Sequence, residues 1–472
     1  MTSPAPRGGE RKADSLQRFL TNYACGLTYD AISPAAAHQA KVRVIDTLGA
    51  LIGGFEGESA HMARALAPRD AGKHAATIIG TGSKTTLEMA AFANAIAARS
   101  AEMMDIYHFP GSFGGHPSDV VMPVFGAAEC SRSSGVDLIT AIVLAYEIFL
   151  RFSDAFHNVG FDDTNFACIA SAAAAARLLG LSREQVGNSI AIAAVANVAL
   201  KQVRTDELTA WKVIATGHAA RAGVFAAMLA EAGAPGPSLP FEGKAGWCAH
   251  VAREPVAFDR IGGAGTPFKI LDTRIKHRPA AGETISTILA AEKIAPRLQG
   301  IDHIKVVTVE LYKRALERAG SGEHHWHPRS PDAAGNSIPY LASVALMEGG
   351  VTRASFDDAH LANADLSGLM RKVKLVENAD FTRAYGKTPV EHRTRITVET
   401  NDGAVHVAET GGDADDLSAE KSDSQIEAKF RSLTEPALGP RRASSLLSRL
   451  WDLEKLGDVS PLAAELAWQG AR

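Results

Sequence analysis

Hydrophobic positions recur at helical spacing through the first half of the chain. From Leu16 to about Leu229, Ala, Leu, Ile and Val return every three or four residues, and Gly or Pro marks the breaks. At one break Gly180 can end a helix, and Ser182 with Gln185 has the spacing of a capping box for the next. Strand patterns are nearly absent here, so this half predicts a bundle of paired helices.

The pattern changes after residues 232–246, where Gly and Pro are so frequent that the segment must be irregular. Alternation of apolar and polar positions then predicts strands in residues 303–312 and 394–410, with Asp402-Gly403 as a hairpin turn. Helical segments are predicted around these strands, near residues 284–294, 337–348 and 365–372. Such a mixture indicates a separate α+β domain.

The length of 472 residues exceeds what one hydrophobic core usually supports, which also favours two domains. Residues 1–14 resemble a disordered tail because they are rich in Pro, Gly and charge. We assign the helical domain to residues 15–268 and the α+β domain to residues 269–412. Residues 413–472 return to helical spacing and are predicted to pack back on the helical domain.

Composition and charge exclude several classes of protein. Hydrophobic residues make up 46 % and charged residues 22 % of the chain, as in soluble globular proteins. A net charge of −4 without a basic stripe predicts no nucleic-acid partner. The four cysteines form no C-x-x-C pair, which disfavours a disulfide scaffold or a thiolate metal site. The N-terminus lacks the apolar core of a signal peptide, and no uninterrupted apolar run reaches membrane-spanning length, so we expect a cytoplasmic protein with no membrane partner.

Acidic and polar residues converge in one Gly-rich segment of the helical half. Glu102 and Asp105 stand at a predicted helix end, and His116 precedes Ser118 and Asp119 at the predicted start of the next helix. A helix N-terminus favours anions, so this segment is a candidate binding site. The alternative is ordinary capping by Ser118 or Asp119, with His116 as a loop residue of no special role.

Basic residues gather before the long helix that begins near residue 211. Lys201, Arg204 and Lys212 surround its start, and its later face is apolar. A lysine that is desolvated beside Trp211 could bind a carboxylate or titrate low enough to transfer a proton. The alternative is a solvated cationic face.

Two further clusters lie in the predicted α+β domain. One cluster consists of three basic residues just before Pro279, namely Lys276, His277 and Arg278. Together they could bind an anion, or they could form a solvated surface patch. His324, His325 and His327 lack the i, i+4 spacing of a helical zinc pair and have no evident fourth ligand, so we predict no metal site there.

Six dispersed segments, taken in order and spacing, resemble the MmgE/PrpD family, whose members include 2-methylcitrate dehydratase, cis-aconitate decarboxylase and iminodisuccinate epimerase. The segments are VIDTLGALIGG near residue 44, HPSDVVMPVFGAAE at 116–129, VRTDELTAWK at 203–212, GVFAAMLAEAGAPGPSLPFEGKAGW at 223–247, Lys276 with Pro279, and WHPRSPDAAGNSIPY at 326–340. The resemblance implies a mainly α fold, with a large all-helical domain and an inserted smaller α+β lid domain. It further implies a homodimer that uses no metal and no organic cofactor.

The resemblance also implies the active-site residues. By position, the catalytic groups of the family fall on Glu102, Asp105, His116, Lys212 and Lys276. The residues expected to bind a small carboxylate substrate are Asp162, Gln202, Arg204, Arg278 and Asn336.

Several positions depart from the family pattern. The usual D-x-[DN]-D-T is EMMDI here, so that Glu102 replaces Asp, Met104 replaces a polar residue and Ile106 replaces a hydroxyl. A histidine common in the family is missing from Gly160-Phe161-Asp162-Asp163, where an acid stands in its place. Asn336 occupies another usual histidine position, and no histidine follows the lid lysine. Fewer histidines and more acids would weaken the binding of a tricarboxylate, which favours a substrate with one or two carboxylates.

The predicted function is a cofactor-independent lyase of the dehydratase type, acting on a small hydroxy-carboxylate by proton abstraction next to a carboxylate. His116 and Lys212 would handle protons, and Glu102 or Asp105 would tune the histidine. Lys276, with Arg204 or Arg278, would hold carboxylates. The alternatives are a decarboxylase or epimerase of the same family, or a non-catalytic carboxylate-binding relative.

Overall fold

The computed structural model describes residues 13–206, 208–258, 260–412 and 415–468. Residues 1–12 of the predicted tail therefore lie outside the described residues. Asp14, which the sequence places in that tail, is buried and caps the first helix by accepting the backbone N–H of Gln17. The same carboxylate also accepts the backbone N–H groups of Phe241 and Glu242, so the start of the chain is tied to a distant loop.

The first half is built of helices, as its hydrophobic spacing predicts. They are α1 (Ser15–Gly26), α2 (Pro34–Gly54), α3 (Glu58–Leu66), α4 (Leu87–Arg99), α5 (Val121–Ser131), α6 (Gly135–Ala155), α7 (Thr164–Leu178), α8 (Arg183–Ala196) and α9 (Trp211–Glu231). The capping box of Ser182 with Gln185 is confirmed at the start of α8. Gly180, just beyond α7, has a φ of +71°, a left-handed conformation that glycine adopts without steric cost.

The first half also contains strands that its helical pattern does not predict. The strands β1 (Ala75–Ile78) and β2 (Ser83–Thr86) pair antiparallel as a short hairpin. A two-residue strand, β3 (Asp105–Ile106), pairs with β4 (Arg274–Ile275). This second pairing joins segments nearly 170 residues apart, and it brings Glu102 and Lys276 toward each other.

The second half mixes strands and helices. The longer strands are β5 (Ile304–Leu311), β6 (Val373–Glu377), β7 (Thr394–Thr400) and β8 (Val405–Thr410). The helices are α10 (Ile285–Ile294), α11 (Lys313–Ala319), α12 (Glu323–Trp326), α13 (Pro331–Ala334), α14 (Ile338–Glu348), α15 (Asp358–Leu361), α16 (Ala364–Met370) and α17 (Ala379–Tyr385). The helices predicted near residues 284–294, 337–348 and 365–372 match α10, α14 and α16 to within a few residues.

The four longer strands form one sheet in the order β6-β5-β7-β8. Strand β5 is parallel to β6 and antiparallel to β7, and β7 is antiparallel to β8. The predicted turn between β7 and β8 is confirmed, because Gly403 has a φ of +88° there. Strand β6 was not predicted, because it has only five residues and charged side chains interrupt its apolar positions, so the pattern of a strand is weak.

Buried apolar side chains form two cores. The first takes its residues from α1 to α9 and from the C-terminal helices α18 (Asp423–Leu438), α19 (Pro440–Trp451) and α20 (Ser460–Glu465). The second takes its residues from 280–417, together with Ile106. Helix α18 lies on α2, where Phe430 approaches Gly49 and where Lys429 pairs with the buried Asp46. Lys429 also donates to the carbonyl of Met103, so α18 supports the segment that carries Glu102.

Within the described residues, one helix is long and apolar enough to cross a membrane by length and composition, namely α9. About two thirds (67 %) of its most apolar window is buried. The helix packs against α4 and α7, which is the environment of a core helix in a globular protein.

Candidate active site

A cavity of about 660 Å³ lies between the two cores and is lined by residues from both. Its cationic side chains are Arg99, Lys201, Arg204, Lys212, Lys276, Arg314, Arg318 and Arg329. Its carboxylates are Glu102, Asp163, Asp206, Glu283, Glu317 and Glu323. Eight cations against six anions leave an excess of two positive charges, so the cavity favours an anionic ligand.

Glu102 is at the centre of a cluster of charged side chains on the cavity wall. It follows the C-terminal end of α4 and has a φ of +53°, a left-handed conformation that is unusual and costly for a residue with a side chain. Its carboxylate lies 2.7 Å from Lys212 Nζ, 3.3 Å from Lys276 Nζ and 3.4 Å from Arg99 Nη1. Burial alone would raise the pKa of this carboxyl, but the three cations hold it well below its usual range, so Glu102 is ionised.

The two lysines reach Glu102 from different parts of the chain. Lys212 lies in the first turn of α9, and Lys276 follows β4 directly. Their side chains are only 7 % and 0 % exposed, so neither belongs to a solvated cationic surface. Lys276 also donates to the carbonyl of Ala280, at 3.0 Å. Burial lowers the pKa of Lys276 to about 8, which brings its proton within reach of chemistry near neutral pH.

His116 stands on the cavity wall at the start of a 3₁₀ turn, Pro117–Val120. Its Nδ1 is 3.0 Å from the carbonyl oxygen of Asp105, which can only accept a hydrogen bond, so Nδ1 carries the proton and Nε2 is the free acceptor. Its backbone N–H donates to Asp163. Burial, followed by the nearby Arg99 and Lys276, lowers the pKa of His116 well below its usual value, so the ring is neutral at pH 7.

The capping interpretation of this segment is wrong. Neither Ser118 nor Asp119 caps the 3₁₀ turn or α5, which follows it. Ser118 Oγ is buried without a partner among the described residues, and Asp119 instead accepts from Thr216 at 3.1 Å. Burial raises the pKa of Asp119 to about 7.

Arg99 is a cavity residue that the sequence analysis missed. Its side chain is fully buried, and its Nε and Nη2 have no hydrogen-bond partner within the described part of the chain. The available signal was an arginine that ends an Ala-rich apolar helix three residues before Glu102, where i, i+3 spacing brings the two side chains together. Arg99 therefore adds a third buried cation to the lysine pair.

Asp105 does not line the cavity, although the sequence analysis placed it among the catalytic groups. Its carboxylate accepts from Arg43 Nε at 3.1 Å, from the Tyr146 hydroxyl at 3.0 Å and from the backbone N–H of Ser118 at 3.0 Å. Because β3 turns this side chain into the first core, only the main-chain carbonyl of Asp105 reaches His116.

Two of the predicted substrate-binding residues are also turned away from the cavity. Arg278 makes a two-pronged pair with Glu292, at 2.7 Å for both N···O distances. Gln202 donates to Asp206 at 2.9 Å. Neither side chain lines the cavity: Arg278 is held by Glu292, which lies outside it, and Gln202 by Asp206, which is itself a lining residue.

The remaining predicted binding residues lie at or beside the cavity. Arg204 lines it, with Nε 2.7 Å from Asp162 Oδ2 and with a buried Nη2 that has no partner in the described residues. Asp162 does not line the cavity and acts behind Arg204 as its anchor. Asn336 lines the cavity while its amide donates to the carbonyl of Asp332, at 2.8 Å.

The three histidines of the α12 segment, His324, His325 and His327, also line the cavity. The rings of His324 and His325 lie 4.0 Å apart between centroids. In the part of the chain that the structure describes, no three His, Cys, Asp or Glu side chains are grouped to hold a metal ion.

Fold and cavity together define a mainly α protein with a buried cavity of excess positive charge between two cores. Residues 18–258 match the MmgE/PrpD N-terminal domain, and residues 279–453 match the MmgE/PrpD C-terminal domain. The chain belongs to the MmgE/PrpD family.

Curated relatives of this family are similar to the chain over most of its length. Cis-aconitate decarboxylase of Homo sapiens is 26 % identical over 456 residues, which cover 93 % of this chain and 92 % of the relative. The 2-methylcitrate dehydratase of Salmonella typhi is 24 % identical over 405 residues, which cover 80 % of this chain and 81 % of the relative. A cis-aconitate decarboxylase-like protein of Aspergillus oryzae is 25 % identical over a stretch that covers 82 % of this chain and 84 % of the relative. Both activities occur among relatives of similar identity, so similarity alone does not choose between them.

Replacing Asp105 should reduce stability, because its carboxylate pairs with a buried arginine. We expect Asp105→Asn to lower the free energy of unfolding by about 3–5 kcal/mol, since Arg43 is left buried with a neutral partner. Arg278→Gln, which breaks a half-exposed pair, should cost no more than about 1 kcal/mol. Urea unfolding followed by circular dichroism measures both. An Asp105→Asn protein as stable as the wild type would contradict this structural role.

Proposed function

We propose that this protein is a cofactor-independent lyase that removes a proton next to a carboxylate of a small hydroxy-carboxylate and expels water. One observation carries the proposal: His116, Lys212 and Lys276, far apart in the sequence, line the same buried cavity. Two of them also meet on one carboxylate, that of Glu102. Elimination of water needs a base, an acid and cations for the carboxylate, and this cavity holds groups suited to each role.

His116 is the proposed base. Its Nδ1–H is fixed on the carbonyl of Asp105, so the unprotonated Nε2 can take the proton from carbon. Its lowered pKa keeps the ring neutral, and therefore able to accept a proton, at physiological pH. The cations around the cavity stabilise the negative charge that develops on the substrate carboxylate as this proton leaves.

Lys276 is the proposed acid. A lysine with a pKa of about 8 is protonated at pH 7 yet gives up its proton readily. The electron pair of the broken C–H bond forms the C=C bond, the C–O bond breaks, and the hydroxyl leaves as water with the proton from Lys276 Nζ. Lys212 and Arg99 hold the carboxylate. The sequence analysis assigned proton transfer to Lys212 and carboxylate binding to Lys276. The roles of the two lysines are reversed here because the pKa of Lys276 is lowered.

The second candidate is a decarboxylase, in which the C–C bond to a carboxylate breaks, CO₂ leaves, and the electron pair left on carbon takes a proton from an acid of the cavity such as Lys276. It is favoured by the similarity to human cis-aconitate decarboxylase, which extends over 93 % of this chain. This candidate would be favoured if CO₂ is released and no unsaturated product keeps all the carboxylates of the substrate. Binding of hydroxy-acids without any turnover would instead favour a non-catalytic carboxylate-binding protein.

Removing the imidazole should abolish turnover while the fold remains intact. A panel of hydroxy-carboxylates is screened by thermal shift, and each binding acid is then followed by NMR for an unsaturated product. For His116→Ala we expect turnover to fall by about 10²–10⁴-fold, the usual contribution of a general base. His250→Ala, which changes an exposed histidine outside the cavity, is the matched control. Activity near that of the wild type in His116→Ala would refute the proposed base.

The rate should fall on the alkaline side as Lys276 loses its proton. The pKa of Lys276 in the free protein is about 8, so kcat/KM is expected to be full below this pH and to decline above it. A bound carboxylate favours the ammonium form, so the decline of kcat should lie at higher pH than that of kcat/KM.

Lys276→Arg tests the role directly, because arginine keeps the charge but does not release a proton. We expect turnover to be lost while the affinity for the acid is retained. A rate that rises through pH 8, or a Lys276→Arg protein with normal turnover, would contradict the assignment of Lys276 as the acid.

A further inference from the structure

The arginines of the cavity have N–H groups that nothing in the described structure satisfies. Among arginine side chains in the described residues, buried N–H groups without a hydrogen-bond partner occur on Arg99, Arg204 and Arg314. All three line the same cavity. Buried donors are nearly always paired in folded proteins, so unpaired donors that gather on one cavity point to a ligand that pairs with them. Guanidinium groups are suited to a carboxylate.

Arg314 belongs to a second charge cluster, separate from the one around Glu102. Arg314 and Arg318 lie one turn apart on α11, on the same face of the helix. Their Nε atoms are 3.6 and 3.9 Å from the same oxygen of Glu283, too far for hydrogen bonds. Glu283 therefore orients both arginines without using their N–H groups.

The charges at this end of the cavity leave room for an anion. Although burial opposes ionisation, His108, Arg314 and Arg318 lower the pKa of Glu283 to about 2, so it is charged. Glu317, the acid of α11, lies 3.8 Å from Lys313. Two arginines against one opposing carboxylate leave a positive excess beside the unpaired N–H of Arg314.

His108 also lines the cavity. Burial, together with Arg314, Arg318 and Lys276, lowers its pKa to about 4 against the opposing effect of Glu283. The cavity thus has two clusters of cations, one around Glu102 and one around Glu283. Its volume of about 660 Å³ is in the range of about 300–1,000 Å³ that holds drug-sized ligands, so it can accept a molecule extending from one cluster to the other.

We infer that Arg314, assisted by Arg318, is a distal carboxylate subsite, and that the substrate is a dicarboxylate held at one end by Arg99 and at the other by Arg314. The inference rests on the proposed function in one respect only, namely that the substrate reacts at the end that lies against the Glu102 cluster. Arg314 would then bind the second carboxylate of the substrate, at the end of the molecule away from the carbon that loses its proton.

Calorimetric binding separates this subsite from the chemistry. The probes are unreactive linear dicarboxylates from succinate to suberate, each paired with the monocarboxylate of equal chain length. For the wild type we expect one length of dicarboxylate to bind at least about tenfold more tightly than its monocarboxylate, a difference of about 1.4 kcal/mol. Arg314→Gln should remove this preference and leave the monocarboxylate affinity unchanged. Arg99→Gln should weaken both.

Arg278→Gln is the control, because it removes an arginine of the same region that does not line the cavity, and it should keep the preference. Circular dichroism checks that Arg314→Gln folds, and Arg318→Gln, which should reduce the preference in part, serves if it does not. No preference in the wild type, or full preference in Arg314→Gln, would overturn the subsite. Since no turnover is measured, a failure of the proposed lyase chemistry would leave this result intact.

Discussion

The interaction on which the site depends is the burial of one carboxylate, that of Glu102, among three cations. Charges removed from water are costly, and they persist only when partners of opposite sign lie at contact distance. Glu102 meets Lys212, Lys276 and Arg99 within 3.4 Å, and Asp332 lies 3.9 Å from Lys212, so three cations face two carboxylates. The cluster is therefore short of negative charge, which is the condition that favours an anionic substrate.

The rest of the fold holds these groups in place. Helix α4 ends at Arg99, α9 presents Lys212 in its first turn, and the pairing of β3 with β4 brings Lys276 from the second core. Lys429 of α18 donates to the carbonyl of Met103, so the C-terminal helices reach the residue next to Glu102. The left-handed conformation of Glu102 is a local cost that this surrounding network can sustain.

Local patterns in the sequence predicted much of the fold, and motif resemblance predicted the centre of the site. Capping at Ser182, the turn at Gly403, and the meeting of His116, Lys212 and Lys276 were all accessible in this way. Spacing does not reveal which way a side chain points. Asp105 was therefore expected at the site although its carboxylate faces the core, and Arg99 and Arg314 went unnoticed because their unpaired N–H groups are evident only once two distant segments pack together.

The central claim is that a neutral imidazole at position 116 removes a proton from carbon beside a carboxylate held by buried cations. The most direct test is deuterium incorporation, followed by NMR, when the protein is incubated in D₂O with the acids that it binds. The account predicts that the wild type introduces deuterium at the carbon next to the carboxylate, in the recovered acid or in its product. If every hydroxy-carboxylate that the protein binds keeps all its C–H protons and yields no product, the result would contradict it.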